Sequence, residues 1–145
     1  MKIILTAACC LGLSTSAHAQ VTPRFNHVAF AVTELDRSTR FYQQVIGLDT
    51  IPEPFKVGRH RWFKLSEQGA LHLIQGNRLP VSIKESHLCL SVPDLDAMMQ
   101  RLRRLGLPFE SWTGEKNQFT RRTDGVRQIY LQDPDGYWLE LNDER

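Results

Sequence analysis

The chain has 145 residues, with 18 Lys and Arg against 16 Asp and Glu, for a formal net charge of +2. That balance gives no electrostatic case for nucleic acid or an anionic membrane surface as a partner. The first nineteen residues, Met1 to Ala19, read as a secretory signal peptide: Lys2 is the positive n-region, Ile3 to Leu13 the apolar run, and Ala17-His18-Ala19 the small-x-small cleavage site.

Such a leader predicts a periplasmic or secreted protein and no membrane contact after cleavage. Residues 20–145 are then enough for one domain with its own core, and not for two. Cys89 is the only cysteine of that stretch, so no intrachain disulfide is available to it. Lying in an apolar strand, it reads as a buried structural thiol.

The first predicted element is a strand from His27 to Val32. A helix follows, with Thr33 or Asp36 as N-cap and Phe41, Tyr42 and Val45 on one face, and Gly47 ends it. Asp49 to Ile51 makes a short strand before Pro52 and Pro54 break it. Arg61 to Leu65 and Ala70 to Ile74 form a pair joined by a turn at Glu67-Gln68-Gly69. His60, between Arg59 and Arg61, reads as an exposed residue.

Asn77 to Lys84, with Pro80 inside, is a linker. A strand from His87 to Val92 and a helix from Asp94 to Leu105 come next, the helix carrying Leu95, Met98, Met99, Leu102 and Leu105 as one apolar stripe capped by Gly106. A short strand is predicted near Pro108 to Trp112, then a polar loop. The chain closes on a hairpin: Arg127 to Gln132, a turn at Asp133-Pro134-Asp135-Gly136, and Tyr137 to Asn142.

These elements repeat. Asn26-His27-Val28-Ala29-Phe30-Ala31-Val32-Thr33-Glu34-Leu35-Asp36 aligns without a gap on Ser86-His87-Leu88-Cys89-Leu90-Ser91-Val92-Pro93-Asp94-Leu95-Asp96. Leu71-His72-Leu73 and Leu139-Glu140-Leu141 form a second echo. The chain is therefore two βαβββ copies, about 26–76 and 86–142. They present His27, His72, His87 and Glu140 at two equivalent pairs of positions, a set of potential metal ligands that core packing does not explain.

Alternation adds a pocket. Side chains two apart share a sheet face, so His27, Ala29 and Ala31 oppose Val28, Phe30 and Val32, and His87, Cys89 and Ser91 oppose Leu88, Leu90 and Val92. The large apolar residues pack under the helix, and the small ones leave space beside the histidines. Trp138 shares the face of Glu140 and could floor that space, with core packing as the competing reading.

The segments Asn26-His27-Val28-Ala29-Phe30-Ala31-Val32, Phe41-Tyr42 with Gly47-Leu48, Ser86-His87-Leu88-Cys89-Leu90-Ser91-Val92 and Tyr130-Leu131-Gln132-Asp133-Pro134-Asp135-Gly136-Tyr137-Trp138-Leu139-Glu140 resemble the vicinal oxygen chelate superfamily. Its members include glyoxalase I, methylmalonyl-CoA epimerase, fosfomycin-modifying thiol transferases, extradiol dioxygenases and bleomycin-binding proteins. The resemblance spans essentially all of residues 20–145. It implies an α+β fold in which the two βαβββ modules form a curved eight-stranded mixed sheet around a metal cleft.

It further implies one divalent ion held by His27, His72, His87 and Glu140. Three imidazoles and a carboxylate suit Zn, Ni, Fe, Co or Mn and are too nitrogen-rich for Mg or Ca. His72 departs from the Glu or Gln common at the second position. By the same resemblance the chain is a glyoxalase-like lyase or isomerase, with a substrate carbonyl or hydroxyl on the metal and Glu140 carrying the proton.

Glyoxalase I members typically have an Arg four residues after the first ligand and an Asn four after the second. Ala31 and Gly76 stand there instead, which argues against a glutathione hemithioacetal. An extradiol-type dioxygenase or an antibiotic-modifying thiol transferase stays open as an alternative on the same fold, as does a non-catalytic small-molecule binder. Members of this length commonly form homodimers with ligands from both chains. Arg59, Arg61, Arg121, Arg122 and Arg127 could anchor an anionic group on a small-molecule substrate, and a solvated basic edge is the competing reading.

Overall fold

The computed structural model describes residues 23–77, 79 and 82–145; the segment Met1 to Ala19, read above as a signal peptide, and Pro80 of the predicted linker lie outside them. Eight strands form two four-stranded mixed sheets. The first has the order β1-β4-β3-β2, from His27–Val32, Ala70–Gln75, His60–Lys64 and Thr50–Ile51. The second repeats it as β5-β8-β7-β6, from Leu88–Ser91, Trp138–Asn142, Arg127–Gln132 and Thr120–Arg121.

In each sheet the module's first strand pairs parallel with its last, and the other pairings are antiparallel. The repeat read from sequence is thus a repeat of topology. The strands β1 and β5 each stand at the end of their sheet's order. Among the described residues no helix is long and apolar enough to cross a membrane.

The alternation within β1 does what its pattern requires. Phe30 and Val32 are buried, and they meet Leu71 and Leu73 of β4, Phe63 of β3 and Leu35, Phe41, Tyr42 and Val45 of the helical segment in one apolar cluster. The second module contributes Leu139, Leu141, Ile129 and Leu131 with Leu95, Met99 and Leu102 of helix α2 (Leu95–Arg104) to that same cluster. Asp94 caps α2, accepting a hydrogen bond from the Ala97 amide at 2.9 Å.

The first helix departs from its prediction. Helix α1 spans Leu35–Arg40 and runs on as a π-helical turn over Phe41–Ile46, with the amides of Gly47 and Leu48 both donating to the Tyr42 carbonyl. Its N-cap position is Glu34, which makes no side-chain cap bond. Thr33 is not free to cap, because its amide and hydroxyl both donate to Asp135 of the second module, at 2.9 and 2.7 Å. Gly47 ends the segment at φ 93°, a left-handed conformation that glycine adopts without a Cβ clash.

Pro108 to Trp112 is also not a strand. Glu110 makes one two-way bridge to Tyr130, and the chain then folds back because the Ser111 hydroxyl accepts from the Glu115 amide and donates to its carboxylate. Strand β6 is instead Thr120–Arg121, inside the predicted loop.

The β7–β8 turn joins the modules. Asp135, its side chain fully covered, accepts from Thr33, Arg37 and Ser38. Asp133 accepts from the Tyr42 hydroxyl at 2.8 Å, and the Tyr137 ring stacks on Phe30 at 4.1 Å between centroids. Gly136 makes the turn possible at φ 88°.

Candidate metal and substrate site

The face of each sheet turned away from its helix carries the donor residues. On the first sheet the register places His27 beside Ala70, His72 between Ala29 and Trp62, and His60 opposite Ile74. Trp62 lies flat on His72, 3.9 Å between ring centroids and 2° between planes, and His72 lies flat on His27 at 4.1 Å and 11°. A cavity of about 770 Å³ opens over this face, with Ile51, Phe55, His60, Trp62 and Ile74 among its walls. The cavity lies over β3 and β4 beside His27, and the small Ala29 and Ala31 are not among its lining residues.

Burial and the neighbouring His27 and His60 push His72 below the usual imidazole range, favouring the neutral, ligand-competent form. The His27 Nδ1 hydrogen goes to the Asn26 side-chain oxygen at 2.6 Å, leaving Nε2 free. An imidazole coordinates through an in-plane lone pair. Two parallel rings aim theirs along parallel planes, so one ring must turn for both to share an ion.

On the second sheet the donors are Glu140 and His87. Glu140 is buried at 6% exposure. His87 gives its Nδ1 hydrogen to the Lys84 carbonyl at 2.6 Å, which leaves Nε2 facing Glu140 Oε2 at 3.2 Å. A lone pair and a carboxylate oxygen face each other stably only across a cation, either a proton on Nε2 or a metal ion. Ligand bonds of about 2.0–2.2 Å put neighbouring donor atoms about 3 Å apart, so the pair fits an ion's coordination edge.

Glu140 is held by residues that the sequence reading passed over. Tyr130, paired with it across β7 and β8, donates to Oε2 at 2.5 Å and itself accepts from Gln128 at 2.7 Å. Asn142 donates to Oε1 at 3.0 Å, and the Cys89 thiol reaches the same oxygen at 3.3 Å. Burial alone would raise the carboxyl's pKa, but the bonds from Tyr130, Asn142 and Cys89 and the nearby His87 outweigh it and hold Glu140 below its ordinary range. Alternation could have found Tyr130 and Asn142: one is cross-strand from Glu140 and the other two residues on.

Two single-residue readings are corrected. Cys89 is exposed rather than buried, because β5 is an edge strand whose histidine face is open. Its thiol is pushed up to about 12 by partial desolvation of the sulfur against the sheet and by its hydrogen bond to Glu140. His60 is half-buried in the cavity wall rather than exposed, and its Nδ1 is buried with no hydrogen-bond partner among the described residues. Trp138 lies beneath the Lys84 ammonium, 4.8 Å from the ring centroid, on the face of Glu140.

Four of the five arginines singled out above bond to the protein, while the Arg61 Nε is buried without a partner among the described residues. Arg59 donates to the Gln75 carbonyl and Arg121 to that of Gly125. Arg122 pairs with Asp124 and Glu144, and Arg127 with Asp96 and Asp143. Among the described residues no arginine lines the cavity over the first sheet. A second groove of about 780 Å³ runs between the modules past Leu48, Leu88 and Met98, but it includes none of the four predicted ligands.

The structure brings His27 to His72 and His87 to Glu140, one pair on each sheet. Among the described residues no group of three or more His, Cys, Asp or Glu side chains is close enough to hold one ion.

Paired βαβββ modules with donor side chains on the helix-free faces define a class of two-module proteins with a metal or small-molecule site. A model of the Glyoxalase/Bleomycin resistance protein/Dioxygenase superfamily matches residues 24–141, and the chain belongs to that superfamily. It is 28% identical to a lactoylglutathione lyase of Pseudomonas putida, over 81% of this chain and 83% of the relative. It is 29% identical to the metallothiol transferase FosB of Shouchella clausii, over 81% and 77%. The solved structure of oxidase ChaP-H1 superposes with a TM-score of 0.66 at 26% identity, covering 86% of this chain and 98% of that one. The relatives named here carry three different activities, so family membership fixes the scaffold and not the reaction.

Proposed function

We propose that the protein is a divalent-metal-dependent enzyme of glyoxalase type, a lyase or isomerase that moves a proton next to an oxygen of a small substrate. The observation that carries this reading is the buried Glu140, ionised, oriented by Tyr130 and Asn142, and facing a histidine nitrogen at 3.2 Å. His27, His72, His87 and Glu140 would hold one ion of Zn, Ni, Fe, Co or Mn, which when bound polarises a substrate oxygen as a Lewis acid. Glu140 would serve as the proton acceptor, while Tyr130 keeps its Oε2 directed toward His87. Family resemblance places an Arg and an Asn where this chain has Ala31 and Gly76, so the substrate is other than a glutathione hemithioacetal.

The reading includes a homodimer. The donor pairs lie on separate sheets and β1 and β5 each end a sheet, an arrangement in which the His27–His72 face of one copy would meet the His87–Glu140 face of a second. A periplasmic or secreted setting rests on the segment from Met1 to Ala19 alone.

A metal inventory on protein purified without chelator or His-tag tests this. About one transition ion per chain is expected, falling in Glu140→Gln and in His27→Ala. Mixing and reassembling His27→Ala with His87→Ala should restore about one quarter of the sites, because half the dimers are mixed and each then holds one intact site. Wild-type binding without that recovery places the site within one chain. No metal in a folded protein after addition of Zn²⁺, Ni²⁺, Mn²⁺ or anaerobic Fe²⁺ refutes the enzyme reading and leaves a binding module.

A further inference from the structure

The first module's cavity has a chemistry of its own. Alternate residues of three strands build its floor, and the side chains there are rings or hydrocarbon: His27, His60, Trp62, His72 and Ile74, with Phe55 at the side. Its charged residues are Lys64 and Glu67, and these pair with each other at 2.7 Å at an exposed rim. Among the described residues, an anionic ligand finds no free counter-charge there, and neither does a cationic one.

The rings present π surface in two orientations. Trp62 belongs to the flat column with His72 and His27, and Phe55 stands at 81° to it, 6.0 Å between centroids, and 4.9 Å from His60. Phe55 is 58% exposed, a large apolar ring left in water beside the half-buried Trp62. Covering it removes apolar surface from water for any hydrophobic ligand. Only a flat aromatic ligand adds stacking on one ring and an edge contact with the other.

One polar group in the wall is unused. The His60 Nδ1 is buried and lacks a partner, and a buried polar atom left unmatched costs free energy. A hydroxyl can donate or accept, so it satisfies either imidazole tautomer.

We infer that this cavity binds a flat aromatic molecule carrying a hydroxyl, with the ring system against Trp62 and Phe55 and the hydroxyl at His60. The inference names the substrate class of the site proposed above and takes its functional meaning from that reading, but the binding itself needs no metal.

The test is calorimetric titration of metal-free protein with 2-naphthol and with trans-2-decalol, which share a carbon skeleton and a hydroxyl and differ in planarity and π electrons. 2-Naphthol should bind about fivefold or more tighter than the decalol, the scale of an aromatic pair beyond its buried area. Trp62→Ala should weaken 2-naphthol about tenfold and Trp62→Phe only about threefold, because Phe keeps a stacking face. His60→Ala should weaken it several-fold, and His60→Gln, which keeps a donor and an acceptor there, should weaken it less.

Equal affinity for the two alcohols, an unaltered Trp62→Ala, or no binding of 2-naphthol overturns the inference. A failed metal inventory with naphthol binding intact refutes only the lyase reading and leaves an aromatic-binding module.

Discussion

Replacing Asp135 by Ala should uncouple the two modules. Its carboxylate accepts from the Thr33 amide at 2.9 Å, the Thr33 hydroxyl at 2.7 Å, the Arg37 guanidinium at 3.1 Å and the Ser38 hydroxyl at 2.5 Å. Thr33 and Arg37 are exposed, so water can replace part of what they lose, whereas Ser38 is fully buried. One orphaned buried hydroxyl, one lost charge-assisted pair and a weakened threonine contact together cost about 3 kcal/mol. With a urea slope of about 1.5–2 kcal/mol/M, the unfolding midpoint should fall by roughly 1.5–2 M.

The pH dependence supplies an independent check. Burial raises the Asp135 pKa, but Ser38, Thr33 and Arg37 outweigh it and hold the carboxyl below its ordinary value. Its contribution is therefore complete above the unfolded carboxyl's pKa of about 4 and is lost as pH falls through the lower folded value. Asp135→Asn, which lacks the charge, should differ most from wild type at pH 7 and converge on it toward pH 3. A loss under about 1 kcal/mol for Asp135→Ala, or a gap between Asn and wild type that widens in acid, refutes the reasoning.

Four further outcomes are expected. Tyr130→Phe removes the donor on Glu140 Oε2 and should weaken metal binding about 10- to 100-fold in a competition titration, with little change in fold. Cys89, though exposed, has its thiol pushed up to about 12, so iodoacetamide at pH 8 should modify it at least about tenfold more slowly than free glutathione, read by peptide mass spectrometry. Gly136→Ala forces a Cβ into φ 88° and should cost about 1–2 kcal/mol in urea unfolding. Phe63→Ala, at a fully buried position, should cost about 3–5 kcal/mol by the same measure.

What the sequence disclosed follows from what local pattern can encode. The gapless repeat around His27 and His87 carried the topology, and two-residue alternation in β1 carried both the buried face and the open one. Three features escaped, only the first because a distant partner decides it. Thr33 is drawn off the cap position by Asp135, about a hundred residues away. The Pro108–Trp112 run is turned aside by the Ser111–Glu115 contact, and its expected place at the sheet edge passes to Thr120–Arg121. His60 was misread because its basic neighbours suggest solvent, whereas strand alternation turns it to the cavity and Arg61 to the opposite face. Of the site, the repeat picked out His27, His72, His87 and Glu140, but not their separation into two pairs on different sheets. Sequence spacing does not say which sheets face each other.

The parallel pairing of first and last strands bears on the order in which the protein can fold. His27 pairs with Ala70, so β1 has no sheet partner until the whole first module has been synthesised, and β5 waits in the same way for β8. Long-range pairings of this kind slow folding and leave strand edges open meanwhile. Even a complete first module would still bury Ser38 and Tyr42 without the carboxylates that accept from them, because Asp135 and Asp133 arrive with the last hairpin. The final turn of the chain thus completes the first half's core, and a nascent chain stalled before residue 133 should expose that half to proteases that the finished protein resists.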